Sequence, residues 1–317
     1  MRKIFFITLI FTFWFSGAYA ESREKCIFLS LGVGDDFWQS ISKGSNDAAE
    51  KFGYQIIERS VAVKEGDAAL KVQNSVLDWS VDEYKCQGIV LAPYDFRVSN
   101  KIQALKDLGI ITVYVDRDDG TPHVVSSVTT DNKAAGALAA DIMSELLKAG
   151  ASVLLLRESK GVKTTEDRVL GFSQQAKTHG LEIIDGGYVG EIHGDIEFQT
   201  ENLLMQYYKV DAVFSPNETI TLAASYALLS KNKTNVLHVG FDINKSILNA
   251  IRHSESIHGV VLQSPYDMGY SAVKIIDSVI KGEAVRRKQH SDFYFIDNSK
   301  LTSPEMEKII ESYGVKL

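Results

Sequence analysis

Residues 26–58, CIFLSLGVGDDFWQSISKGSNDAAEKFGYQIIE, hold one full cycle of the pattern that decides the fold. Ile27–Ser30 is an apolar run of strand length, and Phe37–Phe52 spaces its apolar residues as an amphipathic helix does. Gly53 falls just past that helix, where a left-handed residue is wanted, and Tyr54–Glu58 is strand-like again. A strand, a helix and a second strand joined this way make a parallel pair with a crossover.

The cycle continues in both directions along the chain. Strands are predicted at Ile89–Leu91, Ile111–Val115 and Val124–Ser127, with helices at Asp67–Tyr84 and Ser99–Leu108 and Gly109 beyond the latter. A second series opens at Asp131, an N-cap for the helix Asn132–Lys148. Its strands are Ser152–Leu156, Leu181–Asp185, Ala212–Ser215, Val236–Gly240 and Ile257–Leu262. Helices Thr165–Thr178, Asp195–Tyr208, Glu218–Ser230 and Lys245–His253 lie between them. A helix at Asp267–Ile280, an extended Asp292–Ile296 and a short C-terminal helix finish the chain. So many strands exceed one open sheet around a single core. The expected fold is α/β, with two doubly wound parallel-sheet lobes and no Gly/Pro/Ser-rich linker between them.

Composition bounds the function. The 41 acidic residues outnumber 34 basic ones among 317, and the pI is about 5.6. That balance offers no electrostatic footprint for nucleic acid or an anionic membrane surface. Arg2 and Lys3, the apolar run Ile4 to Phe15, and Ala18-Tyr19-Ala20 form a secretory signal peptide over residues 1–20, with cleavage expected after Ala20. The apolar run is shorter than the ~20 residues of a spanning helix. Cys26 follows the charged stretch Glu21 to Lys25, which argues against lipid attachment there.

Export gives the two cysteines a meaning, because an oxidising compartment keeps a close pair bonded. Cys26 immediately precedes one apolar strand and Cys86 stands two residues before another, so the sulfurs start level if those strands are parallel neighbours. A disulfide closing that loop stabilises by roughly 4 kcal/mol on the chain-entropy model. Two buried free thiols are the alternative. Without paired histidines at ligand spacing, no metal is expected.

In open α/β sheets ligands sit beyond the carboxyl ends of the strands. The residues placed there are Asp35, Phe37 and Trp38, then Asp116 and Arg117, Arg168, Asn217, Asp242 and Gln263. Carboxylates, guanidinium groups and amides beside aromatic faces suit a neutral polyhydroxylated ligand, whose hydroxyls both donate and accept and whose C–H faces pack on rings. Each has a structural alternative. Asp35, Asp36, Asn217 and Asp242 serve equally as caps, Phe37 and Trp38 as core, and Asp116-Arg117 as a surface ion pair.

With these residues in place, the sequence resembles the periplasmic sugar-binding proteins of the ribose/galactose type, the type I periplasmic binding proteins with a LacI-like ligand-binding fold. The resemblance is carried by Asp35-Asp36-Phe37-Trp38 with Gly44, Gly88 to Pro93, Val115-Asp116-Arg117, Thr130-Asp131-Asn132 with Gly136, Arg168 with Gly171-Phe172, Phe214 to Glu218, Gly240-Phe241-Asp242, and Gln263. It implies two lobes joined by a three-strand hinge, with crossings near Asp131, Gln263 and Ser291. The N-terminal lobe then takes 21–130 plus 264–290, and the C-terminal lobe 131–263 plus 291–317.

The resemblance also implies a periplasmic monomer without cofactor. It captures a monosaccharide by hinge closure and delivers it to an ABC permease, or else presents its closed form to a membrane sensor kinase or chemoreceptor. Asp116, Arg117, Arg168, Asn217, Asp242 and Gln263 match the polar contacts, and Phe37 and Trp38 the stacking aromatics. Asp35 departs from the pattern, standing where asparagine is usual. The third stacking aromatic has no clear match within Glu191–Phe198.

Enzymatic function has little support. G-x-S-x-G, H-E-x-x-H and G-x-x-x-x-G-K-[ST] are absent, and Gly32-Val33-Gly34 lacks the third glycine of a dinucleotide loop because Phe37 occupies its place. No basic helix-turn-helix precedes the first strand, so a DNA-binding role is not expected.

Overall fold

A computed structural model of the chain describes residues 24–33, 36–60 and 66–315. The signal segment and Asp35 lie outside the described residues. The first sheet contains β1 (Glu24–Ser30), β2 (Gln55–Glu58), β3 (Cys86–Leu91), β4 (Ile111–Val115), β5 (Ser126–Thr130) and β11 (Lys288–Ser291), in the order β11-β5-β4-β3-β1-β2. All of its pairings are parallel. The second contains β6 (Ser152–Arg157), β7 (Glu182–Tyr188), β8 (Ala212–Phe214), β9 (Leu237–Phe241), β10 (Gly259–Leu262) and β12 (Tyr294–Asp297), in the order β12-β10-β9-β8-β6-β7. Only the edge strand β12 runs antiparallel.

Helices α1 (Asp36–Phe52), α2 (Gly66–Asp82), α3 (Ser99–Asp107) and α9 (Pro265–Ile280) belong with the first sheet. Helices α4 (Asn132–Leu146), α5 (Lys163–Thr178), α6 (His193–Gln206), α7 (Glu218–Ser230) and α8 (Lys245–Arg252) belong with the second. The strands read as near-continuous apolar runs because helices cover both faces, as in Ile27-Phe28-Leu29, all fully buried. The chain passes between the lobes after β5, after β10 and between β11 and β12, so three short connections form the hinge. The last helix, α10 (Pro304–Ser312), shares a hydrophobic cluster with residues of both lobes, including Ile41 and Met268 of the first and Ile247 and Ile251 of the second.

One close contact recurs in each lobe. A Cβ added at Gly136 of α4 would lie 2.0 Å from the Arg168 carbonyl oxygen, and one at Gly171 of α5 would lie 2.0 Å from that of Lys133. The first lobe repeats the arrangement with Gly44 of α1 against the Tyr266 oxygen and Gly269 of α9 against that of Ile41, again at 2.0 Å. Only glycine lets the two backbones approach this closely.

Cys26 and Cys86 stand at the amino-terminal ends of the adjacent strands β1 and β3, with Cα atoms 4.8 Å apart and their sulfurs bonded.

Three strand expectations need correction. Strand β5 begins at Ser126 rather than at Val124, because its pairing runs through the polar residues Ser126, Ser127, Thr129 and Thr130, all buried. Strand β11 was not expected: Lys-Gln-His-Ser has no apolar residue, and its register comes only from pairing with β5. Strand β7 runs on to Tyr188, three residues past the expected end.

Candidate functional site

The carboxyl ends of the two sheets face one cleft of about 1180 Å³. Phe37, Trp38, Asp116, Arg117, Arg168, Asn217, Asp242 and Gln263 all line it. Asp35 is outside the described residues.

The two lobes present one motif twice. Asp116 follows β4 and Asp242 follows β9, and each adopts a left-handed backbone, φ 65° and φ 60° respectively. Each amide reaches the next strand, Asp116 N–H to Val128 O at 3.1 Å and Asp242 N–H to Val261 O at 2.9 Å. A non-glycine residue in this region costs about 1 kcal/mol, and such strain concentrates at functional sites. The turn carries each carboxylate off the end of its strand into the cleft. Burial raises the pKa of both carboxyls, opposed for Asp116 by Arg117 and Arg168, and for Asp242 by Arg168 and by hydrogen bonds from Gln263 and Tyr313.

Each carboxylate has an arginine. Arg117 Nε lies 3.3 Å from Asp116 Oδ2, and its Nη1 donates to Pro93 O at 3.4 Å while the guanidinium sits over the Tyr94 ring. Arg168 Nη1 lies 3.5 Å from Asp242 Oδ2 and donates to Pro216 O at 2.9 Å. Its Nε donates to Asn132 Oδ1 at 2.8 Å, and its guanidinium lies 4.5 Å from the Phe241 ring centroid. Each arginine therefore grips its own lobe through a proline carbonyl at the end of the neighbouring strand.

Gln263 ties the crossings together. Its Nε2 donates to Asp242 Oδ1 at 2.9 Å, and its Oε1 accepts from Thr130 Oγ1 at 2.8 Å. Asn217 Oδ1 caps α7 by accepting from Ile220 N at 2.9 Å, so it is the ordinary cap considered in the sequence while also lining the cleft. Its amide nitrogen, a donor only, makes no hydrogen bond among the described residues.

The aromatic faces come from one side. Phe37 and Trp38 meet edge-on with centroids 5.0 Å apart, and Tyr94 and Phe96 join them along the wall. No aromatic ring of Glu191–Phe198 lines the cleft. Glu191 does, while Phe198 is 61% exposed elsewhere. Glu158, at the end of β6, brings a second carboxylate near Glu191, and burial raises its pKa.

Sequence reasoning also missed Tyr94, Glu158 and Tyr313. Tyr94 and Glu158 were findable from their place just past β3 and β6, but Tyr313 belongs to a C-terminal helix with no strand to announce it. Among the described residues, no group of three or more His, Cys, Asp or Glu side chains is arranged to hold a metal ion, and no helix is long and apolar enough to cross a membrane.

Comparison with known proteins bears on the family and the fold. The chain is similar to the ribose import binding protein of Escherichia coli strain K12, 27% identical over 282 residues that cover 88% of this chain and 92% of the relative. The crystal structure of a carbohydrate transporter solute binding protein from Agrobacterium radiobacter, in complex with D-arabinose, superposes with a TM-score of 0.81 at 24% identity, covering 92% of this chain and 100% of that one. A chain solved in the XylFII-LytSN complex superposes with a TM-score of 0.72 at 24% identity, covering 88% of this chain and 99% of that one. The model of the periplasmic binding protein domain matches residues 27–284, and the chain belongs to that family.

Proposed function

We propose that the protein is an exported solute-binding protein that captures a monosaccharide between its lobes by hinge closure and delivers it to an ABC importer. The observation that carries this reading is the pair of Asp–Arg arms, Asp116 with Arg117 and Asp242 with Arg168, presented from opposite lobes to one cleft. Ionised carboxylates accept and guanidinium groups donate, so the set satisfies hydroxyls in both roles, while Phe37 and Trp38 offer apolar faces to ring carbons. A ligand held by both arms favours the form in which the lobes approach, and closure follows as a population shift. Relatives named for ribose import support the sugar class.

The lobes move as 21–130 plus 264–290 and 131–263 plus 291–317, and the mature periplasmic chain begins after Ala20. It is a monomeric binding protein rather than an enzyme. A second reading, presentation of the closed form to a membrane receptor, is favoured by the similar chain solved in the XylFII-LytSN complex.

The test is a thermal-shift screen with D-ribose, D-arabinose, D-fucose, D-allose and xylitol. One or more of them should raise the melting temperature in a concentration-dependent way. No stabilisation by any of them at millimolar concentration would overturn the reading.

A further inference from the structure

The C-terminal segment after β12 reaches the ligand carboxylate from outside the matched family region, which ends at residue 284. Tyr313 is 1% exposed, and its hydroxyl accepts from Gln263 N–H at 2.9 Å. The same hydroxyl has two acceptors in reach, Gln263 O at 3.1 Å and Asp242 Oδ1 at 3.5 Å. One residue earlier, the carbonyl of Ser312 accepts from Ser40 Oγ of α1 at 2.5 Å. Two adjacent residues thus bind opposite lobes, one at a helix of the first and one at the polar centre of the second. Among the described residues, no phenol hydrogen-bonds Asp116, the counterpart of Asp242 in the first lobe.

We infer that Tyr313 is a positioning residue for ligand capture, holding Asp242 and the Gln263 crossing in the geometry that the ligand meets. This rests on the solute-binding reading above. Asp242 Oδ1 receives Gln263 Nε2 and faces the phenol, and Oδ2 faces Arg168. The carboxylate plane is therefore set before ligand arrives, so the ligand does not have to order it. Gln263 has its side-chain amide and its backbone N–H and C=O all engaged, and half of those bonds are to Tyr313.

The charged and titratable groups that face this centre are Arg168 from α5, Asp116 from the end of β4, and Glu218 from α7. None of these is altered by Tyr313→Phe, which removes one oxygen and keeps the ring packing.

The experiment has two readouts. Calorimetric titration with D-ribose should show the affinity of Tyr313→Phe reduced by about tenfold at pH 7. Carboxyl-carbon NMR of the sugar-free protein, with Asp242→Asn for assignment, should show Asp242 titrating at higher pH in Tyr313→Phe, because a donor to its charged form is gone. Incorporation of 3-fluorotyrosine at position 313 should restore both. An unchanged Asp242 titration overturns the inference, whatever happens to affinity. A shifted titration with D-ribose affinity equal to wild type also overturns it. If wild-type protein binds no sugar yet the Asp242 titration moves and is restored by fluorotyrosine, the positioning role stands and the monosaccharide reading falls.

Discussion

The two halves of the cleft share a backbone design and differ in how their charges are held. Asp116 and Asp242 leave their strands through the same left-handed turn, yet Arg168 is 3% exposed and anchored at three points, whereas the Arg117 side chain is 28% exposed and has two polar contacts, Asp116 Oδ2 at 3.3 Å and Pro93 O at 3.4 Å. The first lobe contributes Phe37, Trp38, Tyr94 and Phe96 to the wall, and the second contributes polar and charged groups. The difference teaches a division of labour. On the proposed sugar-binding reading, the second lobe serves as a preorganised polar receptor, and the first supplies apolar faces and a more exposed arginine.

The largest effect that tests this asymmetry is on the sugar-free fold. Arg168→Ala leaves Asp242 buried without its counter-charge and should lower unfolding free energy by up to about 5 kcal/mol. Arg117→Ala should cost less, about 1–3 kcal/mol, since Asp116 is buried too but keeps Arg168 as an opposing charge. Urea denaturation measures both, and equal losses would break the distinction. Next, converting Cys26 and Cys86 to alanine should cost the first lobe about 4 kcal/mol by the loop-closure model, with binding of the best sugar unchanged because the bond lies at the far ends of β1 and β3 from the cleft. Weakened binding in that variant would mean the lobe's shape depends on the bond.

Acid should separate the lobes as well. His238 in β9 is fully enclosed, with Nε2 at 2.9 Å from Ser215 Oγ and Nδ1 at 3.1 Å from Ser256 O, and burial pushes its pKa down to about 4. The equivalent position of β4 holds Thr112, which does not titrate. Because His238 takes its proton only on unfolding, its contribution is complete above pH 6.5 and is lost as pH falls toward 4, about 3 kcal/mol in all. His238→Gln should flatten the stability profile in that window; a slope identical to wild type would remove the histidine from the account. The smallest effect is on binding alone. Trp38→Ala should weaken the best sugar about 10- to 100-fold, while Thr164→Ala on the opposite wall changes affinity less than about twofold. Equal losses by titration calorimetry would contradict the aromatic division.

Much of this was legible because parallel strands covered on both faces must be apolar, and Ile27–Leu29, Ile89–Leu91 and Val260–Leu262 could hardly be anything else. The polar residues at their carboxyl ends were then placed by topology, which is why Asp116, Asp242 and Gln263 were found together. The failures share a cause. Strands β5 and β11 are built mostly from Ser, Thr, Lys, Gln and His, and their pairing joins segments about 160 residues apart. Tyr313 is likewise defined by what it meets, since a tyrosine near a chain end reads as ordinary helix packing. Glu191 shows the converse: its stretch offers no clear ring match in the sequence, and only the cavity wall reveals that it brings a carboxylate to the cleft.

The paired glycines of α4 with α5 and of α1 with α9 carry a mechanical consequence. Backbones in direct contact cannot slide past each other, so the helices of each pair move as one unit, and relative motion of the lobes falls to the segments that cross between them. Spectroscopic labels placed within one lobe should report a constant separation at every sugar concentration, while a pair spanning the cleft traces a single angular coordinate. If the lobes close on ligand as proposed, the molecule works as a one-parameter caliper whose reading the ligand sets.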